Sequence, residues 1–529
     1  MNAAKGLFKK AMGKDHDDRP VPQPDQRAQG SPVSQQDIYK YRFQYGTNLG
    51  SIFVLEKWLF SGMFEKTAEG GSELDAVKAS LQTRGLQATV EKWEKHWSHA
   101  LLDKDMEFLI NEAFCNTIRL PIGYYTLGPE FCSGTPFEGE PSQVYRNAWS
   151  HVLHTCNKLA EAGIGVLIDM HALPGGANKD SHSGTSSPIA GLWGDKHNLD
   201  LARKSLVFVA KEISAGKIPN CTGLQLCNEA AWGAKGMYEF YGNVLAEISR
   251  IDNSIPLYIS DAWKLDTALD WARKQNTISS NTNLIIIDTH KYYTFDEKHK
   301  SKSPQEIIRI VPEALSACNQ IAGNVHQNGA APVFIGEYSC VMDAQSWNRV
   351  SESERQALTQ QFGQVQCQQW HTQSCGSAFW TLKMAWMPGG GWGFVAQTRN
   401  GSVRPPAYLS ILWDEVPHRI AEANDHMERG RSHEIQAHCH YWDSKDPGKH
   451  YEHWRFEAGW DDGWNDAVSF FGAKEASGIH IGRGVDRIGC LDGWIRKRMI
   501  EVGQSGPLGW EYEHGFRNAV AKVESVLLR

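Results

Sequence analysis

The chain has 529 residues, a formal net charge of −7 at pH 7 and 11% aromatic residues, among them 20 Trp. This length exceeds one ordinary hydrophobic core and predicts a large domain with a smaller addition. The mild, mixed charge argues against nucleic acid as the main partner, whereas abundant indole side chains suit carbohydrate, whose apolar ring faces stack on them.

The N-terminal segment, residues 1–36, is rich in Lys, Asp, Pro, Gln and Gly and predicts a disordered, basic and polar tail. Lys5 and Lys9 lie beside Leu7 and Phe8, but no apolar run is long enough for a secretion signal or a membrane span. We therefore expect a cytoplasmic protein. An address to the mitochondrion or another organelle, or a weak contact with a membrane surface, stays open for this cationic segment.

The 11 cysteines are odd in number and scattered, and some, such as Cys115 and Cys227, fall inside or next to predicted strands. This pattern predicts reduced, buried thiols rather than a disulfide framework. A reducing compartment is the expected consequence.

From Tyr45 onward, short apolar runs alternate with longer amphipathic segments, which is typical of repeated βα units and a parallel sheet. The predicted strands are Phe43–Asn48, Asn116–Pro121, Gly165–His171, Gly223–Asn228, Pro256–Asp261, Leu284–His290, Pro332–Glu337 and Ser377–Leu382. Predicted helices include Tyr145–Ala162, Leu199–Ile213, Met237–Ile251, Pro304–Ala322 and Glu352–Gln369. These units predict a closed (β/α)8 barrel over residues 37–407, an α/β fold.

Polar side chains stand at the carboxyl ends of these strands. They are Asn48, Arg119, His171, Asn228 with Glu229, Asp261, His290 with Tyr292, Glu337, and Trp380. Because a (β/α)8 barrel builds its reaction site from those ends, we expect an active site at this rim.

Two of these residues are lone glutamates that end apolar runs, Glu229 and Glu337. Cleaving a glycosidic bond with retention needs one protonated carboxylic acid and one ionised carboxylate about 5–5.5 Å apart. A neighbouring cation must keep one of them ionised, and Arg119, which is permanently charged, is the candidate.

The ordered motifs also carry a family resemblance over roughly Tyr45 to Trp392. These motifs are Asn48-Leu49-Gly50, Leu55-Glu56-Lys57-Trp58, Arg119-Leu120-Pro121-Ile122-Gly123-Tyr124, Asp169-Met170-His171-Ala172-Leu173-Pro174-Gly175, Asn228-Glu229, Asp288-Thr289-His290-Lys291-Tyr292, Ile335-Gly336-Glu337-Tyr338 and Phe379-Trp380-Thr381. With them the chain resembles glycoside hydrolase family five, and within it the fungal exo-β-1,3-glucanase subgroup.

The resemblance implies that Glu229 is the acid/base and Glu337 the nucleophile. It implies that Asn228 binds the sugar 2-hydroxyl, and that Arg119 and Tyr292 hold the nucleophile ionised. A double-displacement mechanism of this kind needs no metal and no cofactor.

The resemblance further implies that His171, His290 and Glu56 line the subsite of the reacting sugar. Trp380 would stack beneath that sugar, because an aromatic face suits a flattened ring. Phe295 is expected to form one wall of the entrance.

Two departures from the family pattern bear on the substrate. Ala230 replaces the proline that usually follows the acid/base, and the loop at Gly176–Asp180 lacks the entrance aromatic expected of secreted relatives. The lost aromatic argues against a polymeric β-1,3-glucan as substrate.

The C-terminal segment, residues 408–529, predicts an additional α-helical domain because it lacks strand-like runs. Its predicted helices are Pro417–Tyr441, His450–Phe471, Asp486–Val502 and Trp510–Leu528. Trp454–Trp460 and Trp510–Phe516 resemble each other, which suggests two related helical units that pack together.

This segment also holds a run of histidines: His433, His438, His440, His450 and His453. No ligand spacing matches a known metal site, so hydrogen-bonded histidines in an aromatic core are the favoured interpretation and no metal site is predicted. Barrel support, glycan binding, and docking of a protein partner or a second copy remain open for the domain.

The sequence therefore predicts an intracellular, retaining β-glycosidase that hydrolyses β-glucosides. A glucosidase for a steryl or other lipid glucoside is the alternative within enzymes. A catalytically silent carbohydrate-binding or scaffold barrel is the alternative from another class.

Overall fold

The computed structural model describes residues 30–320, 323–477 and 484–529. Within these ranges, parallel strands pair in chain order and close into an eight-stranded barrel. The strands are β1 Gln44–Asn48, β2 Thr117–Gly123, β3 Gly165–Ala172, β4 Cys221–Gln225, β5 Leu257–Ser260, β6 Ile285–Tyr293, β7 Val333–Met342 and β8 Gly376–Phe379. The predicted (β/α)8 fold is confirmed.

Helices precede and connect the strands. Up to residue 399 they are α1 Gln35–Tyr41, α2 Glu73–Ser98, α3 Asp103–Asn111, α4 Glu140–Gln143, α5 Ala148–Glu161, α6 Lys196–Ser214, α7 Met237–Ile251, α8 Leu265–Gln275, α9 Glu297–Lys300, α10 Pro304–Ile310, α11 Val325–Asn328, α12 Ala344–Trp347, α13 Glu352–Gln373 and α14 Phe394–Arg399. Apolar faces of the longer helices pack on strands that are buried along almost their whole length, which gives the barrel one continuous core.

The strand register brings polar residues side by side at the rim. Asn48 of β1 pairs with Arg119 of β2. Between β6 and β7 the register shifts at Thr289, and the shift sets His290 directly opposite Glu337. Such irregularities re-aim side chains next to active sites.

Two strand boundaries differ from prediction in ways that matter for the site. Strand β4 ends at Gln225, so Asn228 and Glu229 lie in the following loop rather than on the strand. Strand β7 continues to Met342, which places Glu337 in mid-strand. The rim residues are therefore carried partly by strands and partly by the loops that follow them.

The predicted helix Pro304–Ala322 is wrong as a single element. The helix ends at Ile310 and is followed by short 3-10 turns at Val311–Glu313 and Ser316–Gln320, whereas residues 321 and 322 lie outside the described ranges. Pro312 explains the break, because proline lacks an N–H group and its ring clashes with the preceding turn.

The prediction of a disordered tail falls mainly on residues 1–29, which lie outside the described ranges. Helix α1 begins at Gln35, inside the segment predicted as tail. Ser34 caps it by accepting a hydrogen bond from the Asp37 N–H, while the Asp37 carboxylate accepts one from the Ser34 N–H.

The C-terminal segment folds into helices α15 Val416–Lys445, α16 His453–Ser477, α17 Leu491–Glu501 and α18 Trp510–Leu527. The predicted helix Asp486–Val502 begins only at Leu491. Before it, the chain is extended and pairs with the entry to β1 through an antiparallel bridge between Arg42 and Ile488. Tertiary pairing has overridden local helix propensity here.

This helical domain covers the amino-terminal end of the barrel, opposite the catalytic rim. A fully buried ion pair joins Arg42 to Asp486 at 3.2 Å. Arg496 donates to backbone carbonyls just before β6, and Glu513 accepts the N–H groups of Val325 and His326 just before β7. Through these contacts the domain supports the barrel from its amino-terminal end.

Helices α16 and α18, which carry the two similar segments, pack closely on each other. A Cβ added to Gly459 would lie 2.0 Å from the Tyr512 carbonyl oxygen, and one added to Gly515 would lie 2.1 Å from that of Phe456. Glycine permits this approach because it has no side chain. In the described ranges, no helix is long and apolar enough to cross a bilayer.

Candidate active site

Glu229 sits in a constrained turn after β4. Its φ is 39°, in the left-handed region that non-glycine residues rarely adopt. The side chain of Asn178 donates to the Glu229 carbonyl at 2.8 Å, and the Ser260 hydroxyl accepts from the next N–H, that of Ala230, at 3.1 Å. These two contacts hold the turn that points the carboxylate into the barrel mouth.

The two glutamates face each other across that mouth. A carboxylate oxygen of Glu229 lies within 4.8 Å of one of Glu337. Retaining glycosidases separate their carboxyl groups by about 5–5.5 Å, whereas inverting ones need about 6.5–9.5 Å for a water molecule. The spacing fits retention.

Glu337 is held by two donors. Arg119 Nη1 donates to its Oε1 at 2.9 Å and Tyr292 Oη to its Oε2 at 2.8 Å. Burial by itself would lower the pKa of Arg119, but Asp169 and Asp288 raise it above its ordinary value. The guanidinium therefore stays charged, and its charge stabilises an ionised Glu337.

Arg119 also orients Asn228. Its Nη2 donates to Asn228 Oδ1 at 2.7 Å, while Nη1 donates to Asn48 Oδ1 at 2.8 Å and Nε to Gln225 Oε1 at 2.9 Å. Because the amide oxygen of Asn228 is occupied, its NH₂ group is the end left to donate to a sugar hydroxyl.

Glu229 is flanked by two imidazoles. His290 Nδ1 lies 2.7 Å from Oε1, and His182 Nε2 lies 3.1 Å from Oε2. Burial would raise the pKa of Glu229, but the two imidazoles hold it well below its ordinary value. Burial would lower the pKa of His182, yet Glu229 raises it to about 9, and Glu337 with Asp288 raises that of His290 well above its usual value.

These opposed pKa shifts show that Glu229, His182 and His290 titrate together as one coupled group. In the site without substrate, the mobile protons reside on the imidazoles beside Glu229 rather than on its carboxylate. A short proton transfer from either ring converts Glu229 into the acid that a leaving group requires.

Sequence reasoning missed His182. The residue lies in a 3-10 turn at Ser181–Ser183, in the loop after β3, so it is not at a strand end. Asn178 of the same loop, which lies 3.0 Å from the ring, was also missed as a functional residue. The absence of the expected aromatic at Gly176–Asp180 marks this loop as unusual. The loop sequence alone does not indicate which of its side chains reaches the active site.

The predicted sugar subsite is assembled around Trp380. The ring of Trp380 is nearly parallel to that of His171, with centroids 5.7 Å apart. Glu56 accepts from Trp58 Nε1 at 2.8 Å through Oε2, whereas its Oε1 is buried and has no protein partner. That oxygen is a free acceptor for a sugar hydroxyl, although burial raises the pKa of Glu56.

A cavity of about 1110 Å³ contains both glutamates and opens between aromatic side chains. Phe295, which is exposed, stacks on Trp392 at 6.1 Å, and Trp58 packs edge-on against Trp392 at 5.3 Å. Trp263 forms another exposed part of the lining. The aromatic entrance is thus supplied by residues outside the loop in which the family pattern places it.

Asp261 does not line this cavity. It accepts from Thr289 Oγ1 at 2.6 Å and from the Trp263 N–H at 2.9 Å, so it holds the turn after β5. Asn48, which also lies outside the cavity lining, has a similar supporting role: it accepts from Arg119 and donates to the Gly336 carbonyl.

The converging atoms of Glu229, His290 and Glu337 are close enough to ligate a cation. However, Arg119 and Tyr292 already donate to the two oxygens of Glu337, at 2.9 and 2.8 Å, and the positive charge of the guanidinium repels a second cation. The arrangement fits acid/base and nucleophilic carboxylate chemistry better than metal binding.

A (β/α)8 barrel with two carboxylates at this spacing on its carboxyl rim defines a retaining glycoside hydrolase. Residues 74–385 match the model of the family Cellulase (glycosyl hydrolase family 5). The chain belongs to glycosyl hydrolase family 5, as the sequence motifs predicted, and it is an O-glycosyl hydrolase rather than a silent barrel. Residues 423–527 match the family Glucan 1,3-beta-glucosidase 3 C-terminal domain.

Similar proteins span nearly the whole chain. Glucan 1,3-beta-glucosidase 3 of Schizosaccharomyces pombe is 30% identical, over 93% of this chain and 97% of that protein. An uncharacterised glycosyl hydrolase of Saccharomyces cerevisiae is 29% identical over 91% of each chain. A crystal structure of rutinosidase from Aspergillus niger has the same fold, with a TM-score of 0.51, 18% identity, and coverage of 70% of this chain and 99% of that one.

Proposed function

We propose that the chain is a β-glucosidase that removes glucose from short β-1,3-linked glucans. The opposed pair Glu229 and Glu337, with carboxylate oxygens within 4.8 Å, carries the retaining mechanism. Similarity over almost the whole chain to a protein named glucan 1,3-beta-glucosidase 3 supports the choice of sugar and linkage.

In the first step, Glu337 attacks the anomeric carbon and forms a glycosyl ester. The bond from that carbon to the glycosidic oxygen breaks, and the oxygen takes a proton from Glu229 as the aglycone leaves. His182 or His290 delivers this proton to Glu229 beforehand.

In the second step, the Glu229 carboxylate accepts a proton from water. The resulting nucleophile attacks the anomeric carbon, and the bond to Glu337 breaks to release glucose with its original anomeric configuration. Arg119 and Tyr292 stabilise the departing carboxylate.

Side chains around the sugar favour the transition state over the bound substrate. The Asn228 amide donates to the 2-hydroxyl, and this bond strengthens as positive charge develops on the ring. Glu56 Oε1 accepts another hydroxyl, and Trp380 offers its face to the ring.

The outer cavity supports a saccharide rather than a sterol as the leaving group. Charged side chains line it beyond the aromatic entrance, among them Lys291, Lys298, Lys302, Asp296 and Glu313. Aromatic faces combined with hydrogen-bonding groups suit sugar rings, whereas a lipid needs a continuous apolar groove.

The catalytic assignment is tested by Glu229→Gln and Glu337→Gln, which keep shape but remove the acid and the nucleophile. We expect activity on an aryl β-glucoside to fall by about 10²–10⁴-fold for Glu229→Gln and to background for Glu337→Gln. The control is Glu313→Gln, which changes an exposed residue in the lining of the same cavity and should leave the enzyme active. An activated 2-fluoro-glucoside should label Glu337 in mass spectrometry; a label on another residue, or full activity in either variant, would sink the assignment.

The substrate is tested by comparing kcat/KM for β-1,3-linked glucose oligosaccharides with that for steryl and long-chain alkyl β-glucosides. We expect the oligosaccharides to be preferred. A preference for the lipid glucosides would contradict the proposed substrate while leaving the reaction type intact.

We also propose a reducing compartment for the protein. All eleven cysteines are free, and nine of them are buried. Subcellular fractionation with a cytosolic marker tests the expected cytoplasmic location, and recovery in an oxidising compartment would contradict it.

A further inference from the structure

The C-terminal domain contains a second cluster of ligand-type side chains, remote from the active site. His438 on α15, His453 at the start of α16 and Glu511 on α18 converge, with one ligand atom of each within 4.8 Å of the others. We infer that this cluster binds one divalent transition-metal ion, with Zn²⁺ as the best match.

The spacing of the three atoms suits a tetrahedral site. His438 Nε2 lies 3.1 Å and His453 Nδ1 lies 2.9 Å from Glu511 Oε2. Zn²⁺ holds N and O ligands at about 2.0–2.2 Å, which spaces neighbouring ligand atoms by about 3.3 Å. A slight opening of the cluster therefore accommodates the ion, and two imidazoles with one carboxylate form a ligand set that zinc uses.

Neighbouring groups orient two of the ligands. Asp443 Oδ1 lies 3.1 Å from His453 Nε2 and keeps the proton on that nitrogen, which leaves Nδ1 to face the ion. The Glu452 N–H donates to Glu511 Oε1 at 2.8 Å, which leaves Oε2 to the ion. Carboxylate–histidine–metal relays of this kind are the usual support of metal-bound imidazole.

Packing fixes the ligand rings. His438 stacks on Phe456 at 3.8 Å between ring centroids, and His453 stacks on Tyr451 at 5.5 Å. Glu511 is fully buried.

The fourth position is assigned to His514, directly or through a water. Its ring lies 5.3 Å from that of His438, and among the described residues its Nδ1 atom is buried without a protein partner. Buried polar atoms are rarely left unpaired, so this nitrogen points to a group that the protein alone does not supply.

The ion would tie together three helices that are distant in sequence. Its contribution is to the stability of the domain, because metal binding energy becomes folding energy when the site exists only in the folded chain. The other histidines of the tract, His433, His440 and His450, are exposed and lie outside the cluster.

The test uses the full-length protein. We expect one zinc per chain by elemental analysis after purification, or one equivalent of Zn²⁺ or Co²⁺ bound on titration. A chelator should lower the unfolding temperature, and added Zn²⁺ should restore it. A chain that neither contains nor binds a stoichiometric ion overturns the inference.

Variants locate the site. Glu511→Gln and His453→Gln should each lose the ion and the chelator-sensitive part of the unfolding temperature. His440→Gln, on the same helix as His438 but exposed, should keep both. Retention of the ion by either ligand variant, or its loss in the His440→Gln control, contradicts the assignment. Glucosidase activity, measured at low temperature, shows whether each variant has folded.

Discussion

His182 alters how the proton needed for glycoside cleavage is held. A lone carboxyl group that serves as the acid must be protonated at neutral pH, yet Glu229 lies between two cationic rings that favour its ionised form. The pair formed by His182 and Glu229 resolves this conflict, because the shared proton is bound tightly by the pair and needs to move only from Nε2 to Oε2, two atoms that lie 3.1 Å apart. The acid is therefore a pair of residues rather than a single one.

Replacing His182 with Asn should move the alkaline limb of the kcat/KM profile to lower pH. In the native site, His182 loses its proton at a pKa of about 9, so the pair keeps its proton below that pH and loses it above. With Asn at the position, the hydrogen bond to Glu229 can persist but the proton is held only by Glu229 and His290. We expect a shift of about 1–3 units, measured with an aryl glucoside.

Lys179→Ala is the matched control for this prediction, since Lys179 is exposed in the same loop. An unchanged alkaline limb in His182→Asn would show that the proton comes from His290 alone. An increase in KM alone, without a change in the pH profile, would assign His182 to substrate binding.

At the scale of elements, the close approach of β6 and β7 positions the groups behind the glutamates. A Cβ on Gly336 would lie 2.0 Å from Asp288 Oδ1, so only glycine fits next to that carboxylate. Asp288 in turn accepts from His290 Nε2 at 3.0 Å and lies 3.5 Å from Arg119 Nη2. Because Gly336 has no side chain, Asp288 can contact both Arg119 and His290, two of the cationic partners of the catalytic glutamates.

Gly336→Ala should displace Asp288 and lower kcat by about 10²-fold, since small misplacements at a reacting centre have effects of that size. The pKa of His290 should also fall, because Asp288 is one of the groups that raise it. Steady-state kinetics measures the loss. Gly242→Ala, where nothing lies within 4 Å of the added Cβ, should be fully active, and equal losses in both variants would contradict the explanation.

At the scale of the whole molecule, catalysis and support lie at opposite ends of the barrel. The rim holds the two glutamates, whereas the helical domain closes the other end through Arg42, Asp486 and Arg496. Substitutions at the amino-terminal end of the barrel should therefore lower the stability of the protein before they lower its turnover.

Asp486→Asn should destabilise the protein by about 3–5 kcal/mol, because it leaves the buried charge of Arg42 uncompensated. Denaturant unfolding measures the loss, and kcat below the unfolding transition should be unchanged. The control is Glu112→Gln, which breaks a pair with Arg399 whose side chains are 45% and 60% exposed; it should have no measurable effect. A lower kcat in folded Asp486→Asn would contradict the separation of the two ends.

Much of the fold and part of the site were predictable from local patterns. Apolar runs of strand length alternating with amphipathic segments predict the barrel, and lone carboxylates after such runs predict Glu229 and Glu337 at one rim. The break of the helix after Ile310 was also readable, since Pro312 cannot continue it. The late start of α17 was not, because its cause is the distant bridge to Arg42.

The sequence by itself determined the class of fold, the two carboxylates and the arginine beside them, because strand period and strand order bring these residues to the same rim whatever the loops do. Only the tertiary structure decided what surrounds them. His182 reaches Glu229 through a loop, the aromatic entrance is assembled from separate segments, and His438 meets Glu511 across 73 residues of chain. The physical reason is that loop paths and helix packing depend on contacts between distant residues, which no local pattern encodes.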